Sequence, residues 1–353
     1  MVKNTGSKGY FHLIAEKTPT QFWINTALQT DLEYFLEQGA VGNTSNPTHI
    51  PTAINTDQKI WYPIIDKYIA NNPELTDDKV ASLVLQQITI RSLKMFRPLY
   101  NQSKGKHGYV AIQGNPFTNE DLMTVIKEAQ EFNKLGENVG VKIQSTQIGM
   151  KAVEELTAQG INTICTKGFS VAQGVAMAEA YEKGLERTDA KPKCFVVNIA
   201  GIFDDCLSET IQAQKIDIDP NYIRYAGVAM NRKLYRIFKE RGYKAYLLLG
   251  GSREPYHFTE LVGGDLAITI SPPQAKPLIT ENFPVISKIN SKTHPKILEA
   301  LDELPDFKKA YYEDKLSPSE FHDFGPCVKF QKSCESGYLK TLNEIKGRRN
   351  SII

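Results

Sequence analysis

V-G-V-K-I-Q-S-T-Q-I-G-M-K-A-V-E-E-L-T-A-Q-G-I-N-T-I-C-T-K-G-F-S-V-A-Q-G-V-A-M-A-E-A, residues 139–180, decides the fold. Its opening run, Val139 to Ile143, is apolar except for Lys142 and too short for a helix. Ile148, Ala152, Val153 and Leu156 then recur at helical spacing, and Gly160 stops that helix. A second short run, Ile161 to Thr166, leads into a helix from Ser170. Strand, helix, strand, helix with tight connections is the pattern of a parallel sheet covered by helices. A charge inside a strand is costly unless something pairs or uses it. A lysine desolvated in a barrel interior loses its proton more easily and becomes an amine nucleophile.

Working outward, further short runs read as strands: Phe22–Asn25, Val41–Thr44, Tyr109–Gln113, Cys194–Ile199, Lys244–Leu249 and Leu266–Ile270. Helical patterns fall between most of them, including Asp31–Gln38, Asn119–Leu135 and Asn221–Arg241. Residues 51–107 hold no strand and read as a helical insertion between strands two and three. Its long helix, Lys79–Tyr100, has Asp77 or Asp78 as candidate cap. The remainder reads as helical over Val285–Leu301 and Ser336–Ile345. The fold expected is α/β, a (β/α)8 TIM barrel over residues 1–353 as one domain, with that insertion and a helical C-terminal extension. A doubly wound sheet is the rival, weakened because no Gly-x-Gly-x-x-Gly follows a strand.

In a barrel, chemistry belongs at the C-terminal ends of the strands. Those ends supply Asn25, Thr44, Gln113, Lys142, Thr166, Asn198 and Arg253. Other polar features read more plainly. Lys167 faces away from Thr166 by strand alternation, Asp204-Asp205 reads as a solvated helix cap, and His257 as a helix residue.

A net charge of +2 points to neither nucleic acid nor an anionic membrane surface. No apolar run reaches spanning length, and the opening M-V-K-N-T-G-S-K-G-Y lacks a signal-peptide core. The five cysteines are scattered, without metal-site spacing, which reads as free thiols in a cytoplasmic protein with no metal.

With these residues placed, the chain resembles the transaldolase family, class I aldolases that work through a Schiff-base lysine. The resemblance rests on T-S-N-P-T (44–48), G-V-K-I-Q-S-T-Q-I-G (140–149), E-E-L-T-A-Q-G-I-N (154–162), F-S-V-A-Q (169–173) and S-R-E-P-Y (252–256). It runs over roughly Phe22 to Ile345, and the insertion is similar to that of the larger bacterial members. It implies an imine on Lys142, a catalytic water held by Thr166, a phosphate on Arg253, and substrate contacts from Thr44, Ser45 and Asn46. It also implies a sugar or sugar-phosphate substrate, no cofactor, and a homodimer. Three positions depart from the pattern. Asn25 stands where the family carries an aspartate and Gln113 where it carries a glutamate. Asn198 takes the place of a serine, with Phe203 near a second phosphate arginine. Amides keep the shape and hydrogen bonding of carboxylates but not their titration. Ordinary transaldolase turnover is therefore not expected, and two alternatives follow: a non-catalytic relative, or a lysine aldolase of altered specificity.

Overall fold

The computed structural model describes residues 9–281 and 283–352. Eight parallel strands close into a barrel in sequence order. They are β1 (Gln21–Asn25), β2 (Gly42–Thr44), β3 (Val110–Ile112), β4 (Val139–Gln144), β5 (Thr163–Gly168), β6 (Cys194–Ile199), β7 (Tyr246–Gly250) and β8 (Ala267–Ile270). Closure comes from β1 and β8, with Gln21 opposite Ala267 and Ile24 opposite Ile270.

The floor of the barrel is aromatic. Trp23 of β1 meets Phe195 of β6 at 5.0 Å between ring centroids, and Phe195 also meets Tyr109 at 5.1 Å and Tyr246 at 6.1 Å. Rings from non-adjacent strands can touch only inside the barrel. Room for the indole comes from Gly42, where a Cβ would lie 2.3 Å from the Trp23 ring. Each buried ring contributes on the order of 1.5–3 kcal/mol by leaving water. Because strand side chains alternate, the floor fixes the mouth: Trp23 inside puts Asn25 inside, and Phe195 inside puts Val197 and Ile199 inside.

Between β2 and β3 lie the helices His49–Thr56, Gln58–Asn71 and Asp77–Gln102. The cap of the last is Thr76, whose side chain accepts from the Lys79 N–H. Asp77 and Asp78 instead occupy the first turn, where negative charge suits the helix dipole.

The larger departure from the sequence reading is at the other end of the chain. The final helix runs Gly325–Ile352 and so begins eleven residues before the expected Ser336. Pro326 fits the first turn of a helix, and Cys327, Phe330, Cys334, Tyr338, Thr341 and Ile345 form one buried stripe at three- and four-residue spacing. This helix packs on the insertion. Arg349 pairs with Asp77 at 2.8 Å, Tyr338 donates to Asp78 at 2.9 Å, and Arg348 pairs with Asp66. Upstream, the helix expected from Val285 starts only at Pro295, after a polar stretch in which His294 caps the Lys296 N–H.

Gly337 brings this helix against the β2 loop: a Cβ there would lie 2.7 Å from the Pro47 carbonyl oxygen and the Thr48 Cα. On helix propensity alone Gly337→Ala should stabilise by about 1 kcal/mol. The backbone contact reverses the sign. We expect a loss of about 1–3 kcal/mol, read as a lower urea midpoint at unchanged slope. A raised midpoint would count against the close approach.

Candidate active site

The strand ends and the C-terminal helix enclose a cavity of about 310 Å³ at the barrel mouth. Asn25, Thr44, Asn46, Lys142, Thr166 and Arg253 line it. Ser252, Thr269 and Ser271 join them from the last two strand ends, and Lys329, Phe330 and Ser333 from the C-terminal helix.

Lys142 stands on the cavity wall. Burial pushes its amine down to about 8, opposed by the nearby Cys334 thiol. Cys334 is itself pushed up to about 11 by burial and so remains a neutral thiol. An amine near 8 is partly unprotonated at neutral pH, which is what attack on a carbonyl needs.

Asn25 is held by a chain of hydroxyls across three neighbouring strands. Thr44 Oγ1 donates to Asn25 Oδ1 at 3.0 Å and lies 2.7 Å from Thr269 Oγ1. Thr44 has one hydroxyl hydrogen, so Thr269 is the donor in the second bond. With its oxygen engaged, Asn25 offers the cavity amide N–H donors and no base.

The loop after β2 is an Asx turn. Asn46 Oδ1 accepts from the Thr48 N–H at 2.9 Å and the Thr48 hydroxyl at 2.6 Å. It delivers His49 to the cavity wall, a residue that the sequence reading missed. The available signal was a histidine at the start of the helix that T-S-N-P-T opens.

Three expected residues lie elsewhere. Ser45 is buried outside the cavity lining. Gln113 sits just past β3 beneath the C-terminal helix, its Nε2 at 3.8 Å from Cys334 Sγ. Asn198 points out of the barrel and donates to Asn231 at 2.8 Å, because Phe195 inside forces its even neighbours outward. Phe203 is fully buried core.

The cations at the rim share one helix. Asp205 and Glu209, a turn apart on Gly201–Gln214, hold Arg253 at 2.7 Å and Lys329 at 2.5 Å. Asp204 turns the other way. Rather than a solvated cap, it is buried, accepts from the Gly227 N–H at 2.7 Å and meets His257 Nε2 at 2.9 Å. Burial raises its carboxyl, opposed by His257 and the Gly227 N–H. His257 Nδ1 takes the N–H groups of Arg253 and Glu254, both at 3.3 Å, so its Nε2 carries the hydrogen given to Asp204. This relay fixes the backbone that carries Arg253.

Lys167 is neither in the cavity nor in solvent. From Cys165 to Gly168 β5 advances three residues while its partner advances two, from Val196 to Asn198. That extra residue is a bulge, and Lys167 takes φ 62°, sparsely populated for a side-chain-bearing residue. Its buried ammonium donates to Gln144 Oε1 at 2.8 Å and Gln331 Oε1 at 3.1 Å, tying β4 and β5 to the C-terminal helix. Burial lowers its proton affinity too.

Among the described residues no group of three or more His, Cys, Asp or Glu could hold a metal ion, and no helix is long and apolar enough to cross a membrane.

The Lys142 amine should titrate in modification experiments. Reductive methylation with formaldehyde and borohydride, mapped by mass, should rise with pH at Lys142 with its midpoint near pH 8. Solvent-exposed lysines should go on rising toward about 10.4. A Lys142 profile that follows theirs would remove the desolvated amine.

The sequence profile of the Transaldolase/Fructose-6-phosphate aldolase family matches residues 22–319. Among curated relatives, Transaldolase 2 of Nostoc sp. (strain PCC 7120) is 32% identical over 183 residues, which are 47% of this chain and 44% of that protein. The transaldolase of Trichodesmium erythraeum is 33% identical over 157 residues, 44% of this chain and 40% of its own length. The chain thus spans under half the length of these two relatives. The transaldolase of Actinobacillus pleuropneumoniae serotype 7 is 26% identical over a longer stretch, 275 residues, covering 74% of this chain and 78% of its own. Strand order, the lysine strand and the profile match agree: the chain belongs to the transaldolase/fructose-6-phosphate aldolase family.

Proposed function

We propose that this chain is a transaldolase-like enzyme of carbohydrate chemistry, acting on a ketose or sugar phosphate through an imine on Lys142. The observation that carries the reading is the Lys142 amine, brought to about 8 by burial, on the wall of a cavity sized for a small molecule. The neutral amine attacks the substrate carbonyl, water is lost, and the iminium accepts the electron pair of the breaking carbon–carbon bond. Thr166 stands on the same wall to hold water, and Arg253 at the rim to receive an anion, which then competes with Asp205.

Cleavage also needs a group to take the proton of the substrate hydroxyl, and Asn25 cannot. Ordinary transaldolase turnover is accordingly weak. That same amide favours the second reading, a relative that binds sugar phosphates without turning them over.

Borohydride reduction with fructose 6-phosphate should add the sugar mass to Lys142, and Lys142→Ala should abolish the adduct. If the label appears on another lysine, the assignment fails. Asn25→Asp should raise turnover of fructose 6-phosphate with erythrose 4-phosphate by about 10²–10⁴-fold. Gln113→Glu should add little, since Gln113 lies against Cys334 outside the lining.

Inorganic phosphate should raise the unfolding temperature of the wild type and leave Arg253→Ala unmoved. Equal protection of both would assign the anion to another cation.

A further inference from the structure

We propose that His49 is a catalytic residue of this cavity, an uncharged imidazole whose Nε2–H binds the substrate oxygen that becomes negative when Lys142 attacks. The proposal rests on the reading of Lys142 as the imine-forming amine.

Three features of the wall lead here. His49 lines the cavity together with Lys142 and Asn25. Together with Asn25 and Ser271 it also borders an adjoining chamber of about 540 Å³, so it stands on the partition between the two spaces. It shares both linings with Asn25, the strand end that lacks a carboxylate. Second, its tautomer is fixed. The Asn46 N–H donates to His49 Nδ1 at 3.2 Å, which makes Nδ1 the acceptor and leaves the ring hydrogen on Nε2. Third, the ring is neutral. Burial and the Lys142 charge push it down to about 4, and a hydrogen bond accepted at Nδ1 favours the same neutral form.

These features decide between two roles. A base at the cavity would need a bare nitrogen there, but the bare nitrogen is occupied by Asn46. A donor needs an N–H, and Nε2 is the ring nitrogen that carries one. Neutrality also matters for the neighbour: an imidazolium would add a like charge and push the Lys142 proton affinity down further. The step balances without moving the ring proton. The Lys142 lone pair forms the C–N bond while the carbonyl π pair moves to oxygen. The Nε2–H hydrogen bond holds that oxyanion. A proton from the newly formed ammonium then passes to the oxygen, giving a neutral carbinolamine. A preorganised donor at developing charge is worth about 10²–10³ in rate.

A purely structural His49, closing the Asn46 turn, would affect folding and not this step. The test is the rate of borohydride-trapped imine formation on Lys142 with fructose 6-phosphate and with dihydroxyacetone, compared in wild type, His49→Leu and His49→Gln. Glutamine can extend an amide N–H toward the place of Nε2, whereas leucine cannot. We expect His49→Leu to slow trapping about 10²-fold or more, and His49→Gln to keep the rate within about tenfold, with both ketoses behaving alike. Wild-type trapping should follow the Lys142 ionisation alone between pH 5 and 8, with no second limb. Nitrogen-15 shifts of the unmutated protein should give a neutral Nε2–H ring at pH 6, a measurement that needs no variant to fold. An imidazolium at pH 6, or His49→Leu trapping at the wild-type rate, overturns the proposal. A folded His49→Gln as slow as His49→Leu does the same. Wild type that traps nothing overturns the Lys142 reading and this one with it, whereas normal trapping that ignores position 49 overturns this one alone.

Discussion

A parallel sheet of eight strands has two open edges until β8 hydrogen-bonds to β1, and the site depends on that closure. Closure brings Thr269 of the last strand within 2.7 Å of Thr44 of the second, across β1. Their hydroxyls then orient the Asn25 amide. Open the sheet at this seam and the residues on either side belong to opposite ends of a ribbon. The aromatic floor has the same dependence, since Trp23 and Phe195 meet only across a closed interior. The floor sets the phase of alternation and the phase selects the mouth.

Much of this was legible because period-two alternation is local. Lys142, Thr166 and Asn25 reach the cavity from strands whose apolar runs announce themselves. Where alignment and alternation disagreed, alternation won: matching Asn198 to a family serine put an amide in the mouth, but Phe195 three residues earlier sends it outward. Alternation itself stops at a bulge. Nothing in T-K-G tells a reader that β5 takes an extra residue there, so the burial of Lys167 beneath a distant helix was not readable. The contribution of residues 325–335 was hidden differently. Pro326 and the lysines between the buried positions mask a stripe that becomes plain only when continued back from Tyr338.

Two lysines withdrawn from water within one barrel end raise an electrostatic question, because burial disfavours both charges. The protein answers differently at each. Lys167 receives two fixed amide oxygens and has no carboxylate within ion-pair distance among the described residues. Lys142 has its proton loosened by burial, only partly opposed by Cys334. The acidic residues that pair at the mouth, Asp205 and Glu209, stand at the rim with Arg253 and Lys329. Negative charge is thus kept where it can be exchanged for a ligand's, and away from the amine whose proton it would retain.

The helix Gly325–Ile352 has a further consequence in time. A ribosome makes all eight strands before it makes this helix, and domains fold as units in the order they emerge. The barrel can therefore close while one wall of its mouth is still missing. During that interval the mouth around Lys142 lacks the residues that this helix contributes, and only one of the two oxygens that satisfy Lys167 is in place. The scaffold forms first, and the last wall of its mouth arrives with Lys329, Phe330 and Ser333, together with Gln331 for Lys167.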